Sequence, residues 1–274
     1  MPGAPTSDVY RLQRGSPPLI VSVPHSGNVL PEALQARLTP LALTQPDTDW
    51  YVDRLYDFVP QLGATLLVAR YSRYLIDLNR PPDDAALYPG AARTGLCPTL
   101  TFEGAALYRE GAGYELPAAE VQQRRERYWQ PYHDTLRDLI ADTRKRHGYA
   151  LLLDAHSILS KVPRLFAGQL PDINIGCNDA RSCDTPTLEL VRARLAAQPR
   201  SWVIDGRFKG GFITRHYGQP AQGVHAIQIE LAQCGYMVEA VEPGTGTPAW
   251  NKELMRPLQD FLRGLLADWL ALRR

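Results

Sequence analysis

No apolar run in this 274-residue chain approaches the roughly 20 residues needed to cross a bilayer, so nothing reads as a helical membrane span. A basic excess is missing as well. The 30 Lys and Arg are balanced by 29 Asp and Glu, for a net charge of +1, whereas a nucleic-acid surface carries clustered cations. The first residues, Met1-Pro2-Gly3-Ala4-Pro5-Thr6-Ser7, have neither the basic nor the apolar region of a signal peptide, which makes cytoplasm the expected compartment. Cysteine is scarce: Cys97, Cys177, Cys183 and Cys234 match no Cys-x-x-Cys zinc spacing, and a reducing compartment argues against disulfides. They read as small, partly buried residues. Repeats, low-complexity tracts and obvious linkers are absent. Proline is the residue in good supply, at 23, and it suggests several firm loops.

Short apolar runs punctuate the chain, at residues 19–24, 64–69, 149–155, 173–176, 202–205 and 224–231. Runs of this length read as buried strands. Between them, residues 40–62 read as a loop entering a helix, with Asp47-Thr48-Asp49 as capping chemistry and Gly63 as the stop. The clearest helix covers 118–147, with Val121, Tyr128, Tyr132, Leu136 and Leu139 on one face. His133 and His147 belong to it as structural or surface residues. A further helix over 186–197 begins at Pro186, which suits a first turn. The last, over 250–272, is expected to be interrupted at Pro257. Residues 81–117 lack periodicity, a pattern more typical of a functional loop than of filler. Strands alternating with helices predict one α/β domain over residues 1–274, built on a mostly parallel sheet covered on both faces.

Several polar residues close these apolar runs. His25 follows the first strand in Pro24-His25-Ser26-Gly27, His156 follows Leu151-Leu152-Leu153-Asp154-Ala155, and Glu230 ends His225-Ala226-Ile227-Gln228-Ile229. Strand ends of an open α/β sheet converge on one crevice. Two imidazoles and one carboxylate leave an open position on zinc for water. Asp154, two residues before His156 on the same strand face, would accept the second imidazole N–H of a metal-bound His156, or else cap a neighbouring loop. The carboxylate ligand must come from Asp47, Asp49 or Asp53; Asp49 is the choice and Asp47 the alternative. A glutamate in so apolar a strand needs a partner or a purpose: Glu230 would take a proton from bound water, or else form a salt bridge. Asn79-Arg80 offers a fork for a carboxylate. A second cationic, glycine-rich stretch, from Arg207 to Gly218 and including Arg215, offers another, with Arg73 a further candidate. Two cation sites suit a substrate with two carboxylates. His216 and His225 fit loop or strand-edge roles.

With Val23-Pro24-His25-Ser26-Gly27, Asp47-Thr48-Asp49-Trp50, Ser72-Arg73-Tyr74, Ile76-Asp77-Leu78-Asn79-Arg80-Pro81, Leu153-Asp154-Ala155-His156-Ser157, Gly206-Arg207-Phe208-Lys209-Gly210-Gly211, Ile213-Thr214-Arg215-His216-Tyr217-Gly218 and Gln228-Ile229-Glu230-Leu231-Ala232, the chain resembles the N-formylglutamate amidohydrolases over almost its full length. The resemblance implies hydrolysis of N-formyl-L-glutamate to formate and L-glutamate in histidine degradation. It also implies a three-layer fold with a mostly parallel or mixed sheet, similar to the zinc carboxypeptidases and phosphorylase/hydrolase-like proteins. The expected parts are Zn2+ or another divalent metal on His25, Asp49 and His156, Glu230 as base, and Asn79, Arg80, Arg215 and Arg73 on a small dicarboxylate substrate. No nucleic-acid or membrane partner is expected, and the oligomeric state is left open. One departure stands out. The wider group, which includes the aspartoacylases, carries His-x-x-Glu, yet the third residue after His25 is Asn28, so the carboxylate must be recruited from further along. Rival readings are an amidohydrolase for another N-acyl amino acid or peptide-like amide, and a non-catalytic binding protein that keeps the anion pocket.

Overall fold

The structure is a computed structural model, and it describes residues 8–86, 94–111, 113–239 and 248–273. Seven strands form one mixed sheet in the order β1-β3-β2-β4-β7-β5-β6. They are β1 (Tyr10–Gln13), β2 (Leu19–Val23), β3 (Thr65–Ala69), β4 (Ala150–Ile158), β5 (Ile173–Gly176), β6 (Trp202–Ile204) and β7 (Val224–Ala232). The four central strands β3, β2, β4 and β7 are parallel. β1 runs antiparallel to β3, and β5 antiparallel to β7 with β6 parallel to β5. The mixed alternative is therefore the one realised, with reversed strands at both edges.

The apolar runs are explained by cover on both sides. Leu19, Val21 and Val23 of β2 join Leu151, Leu153, Ile227 and Ile229 in one core, beneath Leu258, Leu262, Leu265, Leu266 and Trp269 of the C-terminal helix. Ile20, Leu67, Leu152 and Ala226 point the other way and meet Tyr132, Leu136, Leu139 and Ile140. The period of two along each strand thus feeds two separate helical layers.

The long helix expected over 118–147 is present as Ala118–Arg124, a π-helical stretch Arg125–Trp129, and Gln130–His147. Pro131 lies two residues past the wide turn. It has no N–H for the Arg127 carbonyl. His133 is buried, bonded through Nε2 to the Leu78 carbonyl at 2.8 Å.

Two expectations need correction. The C-terminal helix is not interrupted: Lys252–Ala271 runs straight through Pro257, behind an Asn251 cap that accepts from Glu253 N and Leu254 N. Pro257 and Glu253 are exposed, so the carbonyl left without a donor faces water. The helix expected to follow the loop in 40–62 is broken up: the stretch holds two four-residue helical turns, Pro40–Leu43 and Val52–Leu55, followed by the 3-10 turn Val59–Leu62. The aspartates there do not cap. Tyr51 holds the N-terminal position of Val52–Leu55 at φ 64 without a side-chain cap, because Asp49 is drawn elsewhere. In the described parts of 81–117 no helix or strand forms, as the missing periodicity implied.

Trp269 is fully buried and its indole N–H donates to Thr187 Oγ1 at 3.1 Å. Trp269→Ala is expected to remove about 3–5 kcal/mol of stability, read as a lower midpoint in equilibrium urea denaturation; an unchanged midpoint would contradict this packing.

Candidate active site

Parallel pairing brings the polar strand ends to one edge of the sheet. His25 lies two residues beyond β2, and His156 of β4 and Glu230 of β7 are direct register partners. One pair back along the same faces, Asp154 partners Gln228. His156 therefore lies within its strand, two residues before the end. Gly27 is needed for close approach: a Cβ there would lie 2.6 Å from the Tyr71 carbonyl oxygen.

The Nδ1 atoms of His25 and His156 are 3.2 Å apart. Asp49 Oδ2 lies 3.1 Å from the His156 Nδ1 and 3.8 Å from that of His25. Asp49 is held there by two backbone contacts, its N–H donating to the His25 carbonyl and its Oδ2 accepting from Ser157 N, both at 3.1 Å. The other ring nitrogens are spoken for. His25 Nε2 donates to Asp77 Oδ1 at 2.7 Å, and Asp154 Oδ2 lies 3.0 Å from His156 Nε2. Carboxylates beside both outer nitrogens orient the rings so that both Nδ1 atoms point inward. Two imidazole nitrogens and a carboxylate oxygen facing one another within 4.8 Å are a donor set that suits a divalent cation with borderline-soft preference.

Arg73 lies behind this group, its Nη2 donating to Asp77 Oδ2 at 2.8 Å and its Nη1 to Asp49 Oδ1 at 3.4 Å. Its guanidinium stacks over Phe102 with the ring centroid 4.6 Å away. Burial alone would raise Asp77, but His25, Arg80 and Arg73 hold it well below the usual carboxylate range. Burial also works against ionised Asp49, which contacts with His156, His25 and Arg73 nevertheless hold below its ordinary value. The imidazoles diverge. Burial and the Arg73 charge push His25 down, while Asp154 and Asp49 outweigh burial at His156 and hold it well above its usual value. Burial pushes Glu230 up to about 8, against the pull of His156.

The structure gathers His25, Asp49, His156, Glu230, Asn79, Arg80 and Arg73 around one cleft, but not all in the positions expected. Asp47 turns away, accepting from Phe102 N at 2.8 Å. Burial pushes its carboxyl up to about 6. Asn79 is engaged inward: its Nδ2 donates to Asp154 Oδ2 at 2.9 Å, and its Oδ1 accepts from Ile213 N at 2.8 Å. Arg73 is likewise committed to Asp49 and Asp77. Arg80 does line the cleft, anchored by Nε to the Thr94 carbonyl. Arg215 is not among the lining residues. Its guanidinium donates to the Gly210 carbonyl and to Asn178 Oδ1, both at 2.8 Å. From the same basic stretch Arg207 lines the cleft instead, beside Phe208, Leu165, Ile158 and Phe102. His216 stacks on Phe212, and His225 lies 3.5 Å from Asp184; neither joins the group. Asp77 and Gln228 carry no role in the sequence reading, although Asp77 directly follows the apolar residues Tyr74-Leu75-Ile76.

A sequence profile of the N-formylglutamate amidohydrolases matches residues 17–237. The chain belongs to that family. The N-formylglutamate deformylase of Pseudomonas aeruginosa is 48% identical over 268 residues, covering 96% of this chain and 97% of that protein. A second deformylase, from Pseudomonas putida, is 47% identical over 265 residues, with 96% of each chain covered. Among solved structures, an N-formylglutamate amidohydrolase from Ralstonia eutropha JMP134 superposes with a TM-score of 0.80 at 29% identity, covering 97% of this chain and 99% of that one. A gene product of Agrobacterium tumefaciens shares the fold at a TM-score of 0.70 and 18% identity, with 97% and 96% covered. The family resemblance read from the motifs thus holds across the fold. No described helix is long and apolar enough to cross a membrane.

Asp154 and Asp49 favour the protonated form of His156, so loading a divalent ion should displace a proton. Titration calorimetry with zinc in buffers of different ionisation enthalpy is expected to show net proton release, and His156→Ala to abolish both the release and tight binding.

Proposed function

We propose that this protein hydrolyses N-formyl-L-glutamate to formate and L-glutamate, using a divalent ion held by His25, Asp49 and His156. The observation that carries the reading is the inward convergence of His25 Nδ1, His156 Nδ1 and Asp49 Oδ2, with both outer ring nitrogens on carboxylates and Glu230 in register with His156. The two-nitrogen, one-oxygen donor set favours zinc. When bound, such an ion lowers the pKa of a water and polarises the formyl oxygen. Glu230 takes a proton from the attacking water as its oxygen bonds to the formyl carbon. As the C–N bond breaks, Glu230 returns that proton to the departing amine nitrogen. Arg80 and Arg207, both lining the cleft, are the cations proposed for the two substrate carboxylates, with Arg207 replacing Arg215 because Arg215 lies outside the lining. Asn79 and Arg73 act by holding Asp154, Asp49 and Asp77 in place. The formyl group offers little to grip, so the carboxylates supply the positioning.

Glu230→Gln is expected to keep full metal content while kcat falls by about 10²–10⁴-fold; retained turnover would remove Glu230 from this role. A cation beside a carboxylate favours its ionised form. The acidic limb of kcat/KM should therefore fall below the value of about 8 that burial sets in the metal-free protein, and it should vanish in Glu230→Gln. Arg80→Ala and Arg207→Ala should each raise KM by about 10–100-fold, the loss expected for one charged hydrogen-bonding partner. Comparing N-formyl with N-acetyl glutamate tests the acyl preference directly.

A further inference from the structure

Gln228 is buried on the same face of β7 as Glu230, two residues along. Its amide has one possible orientation. The Oε1 accepts from Gly211 N at 2.7 Å, and a backbone N–H can only donate. Nε2 is thereby turned onto Glu230 Oε2 at 3.0 Å. The same short segment also fixes the neighbouring amide, since Ile213 N donates to Asn79 Oδ1 at 2.8 Å and thereby turns Asn79 Nδ2 onto Asp154. So close an approach requires glycine, because a Cβ on Gly211 would lie 2.3 Å from Asn79 Nδ2. The segment follows directly on the Arg207–Gly210 stretch, whose Arg207 and Phe208 line the cleft.

We propose that Gln228 is a positioning residue for Glu230: clamped by the Gly211 N–H, its amide holds one carboxylate oxygen so that the other faces the substrate. The proposal rests on the reading of Glu230 as the base. A hydrogen bond donated to one oxygen favours the ionised form and removes a side-chain rotation that the proton transfers would otherwise have to select against.

The test compares Gln228→Met, Gln228→Glu, Glu230→Gln and the double variant Gln228→Met/Glu230→Gln, all as metal-loaded full-length protein. Gln228→Met should lower kcat by about 10–100-fold, the range for losing one hydrogen bond to a charged group, with KM and metal content unchanged. In the Glu230→Gln background the same substitution should change the residual rate no further, as expected of residues acting as a unit. Gln228→Glu keeps an acceptor for the Gly211 N–H. If anchoring that segment were the whole role, it would retain wild-type kcat, and this result would overturn the proposal. An equal fold-loss from Gln228→Met in both backgrounds would overturn it too, as would wild-type kcat in Gln228→Met. Should Gln228→Met fail to fold, Gln228→Glu alone and with Glu230→Gln carries the same comparison. Wild-type turnover in Glu230→Gln would instead remove the base assignment, a distinct failure.

Discussion

Arg73 spans two carboxylates that have no access to water. Asp77 is fully buried and Asp49 nearly so, and an ionised carboxylate pays heavily for leaving solvent unless a charge or donors meet it. One guanidinium fork answers both, donating to Asp77 Oδ2 and Asp49 Oδ1. Each carboxylate then uses its remaining oxygen on an imidazole, Asp77 on His25 and Asp49 on His156. Removal of a partner from such a buried network typically leaves about 3–5 kcal/mol uncompensated. The geometry of both imidazoles therefore rests on a residue that sits behind them. The planar fork also explains why lysine, a single point charge, would not serve the same position.

The sheet supplies the rest of the precision. Parallel pairing of β4 with β7 sets His156 opposite Glu230 and Asp154 opposite Gln228, and alternate residues on each strand point to the same side. Each strand thus delivers one residue to the reacting face and one supporting residue behind it. Ala155 and Ile229, the residues between them, face the opposite core, so the spacing of the site and the packing of the protein are set by a single period.

His25, His156 and Glu230 were legible in sequence because a polar residue closing an apolar run is conspicuous and strand direction predicts where it goes. Asp154 was legible for the same reason, through the two-residue period. Asp49 is the choice in sequence with Asp47 the alternative, since a carboxylate in an irregular loop has no periodicity to fix its direction. Tertiary contacts with His156, Ser157 N and Arg73 place Asp49 beside the two imidazoles. The same limit explains Arg215 and Arg207: a glycine-rich stretch advertises cations without saying which faces the cleft. Asn79-Arg80 reads as a carboxylate fork in sequence, yet Asn79 faces inward onto Asp154 and Ile213 N, and Asp77 beside it takes the structural role on His25 and Arg73. Pro257 misled for a different reason. A proline inside a helix leaves one carbonyl without a donor, and here the residue that carries it, Glu253, is exposed to water.

Asp47 and Asp49 are separated by one residue and serve different regions. Asp47 fastens Phe102, which forms part of the cleft wall, through its backbone N–H, while Asp49 contributes to the centre itself. Three consecutive residues therefore set the distance between wall and centre as a fixed length of covalent chain. Surface loops elsewhere in such a fold absorb insertions readily, but this stretch has no slack, since one added residue would leave either the wall or the centre out of place. Its length, more than its composition, is the quantity this architecture constrains.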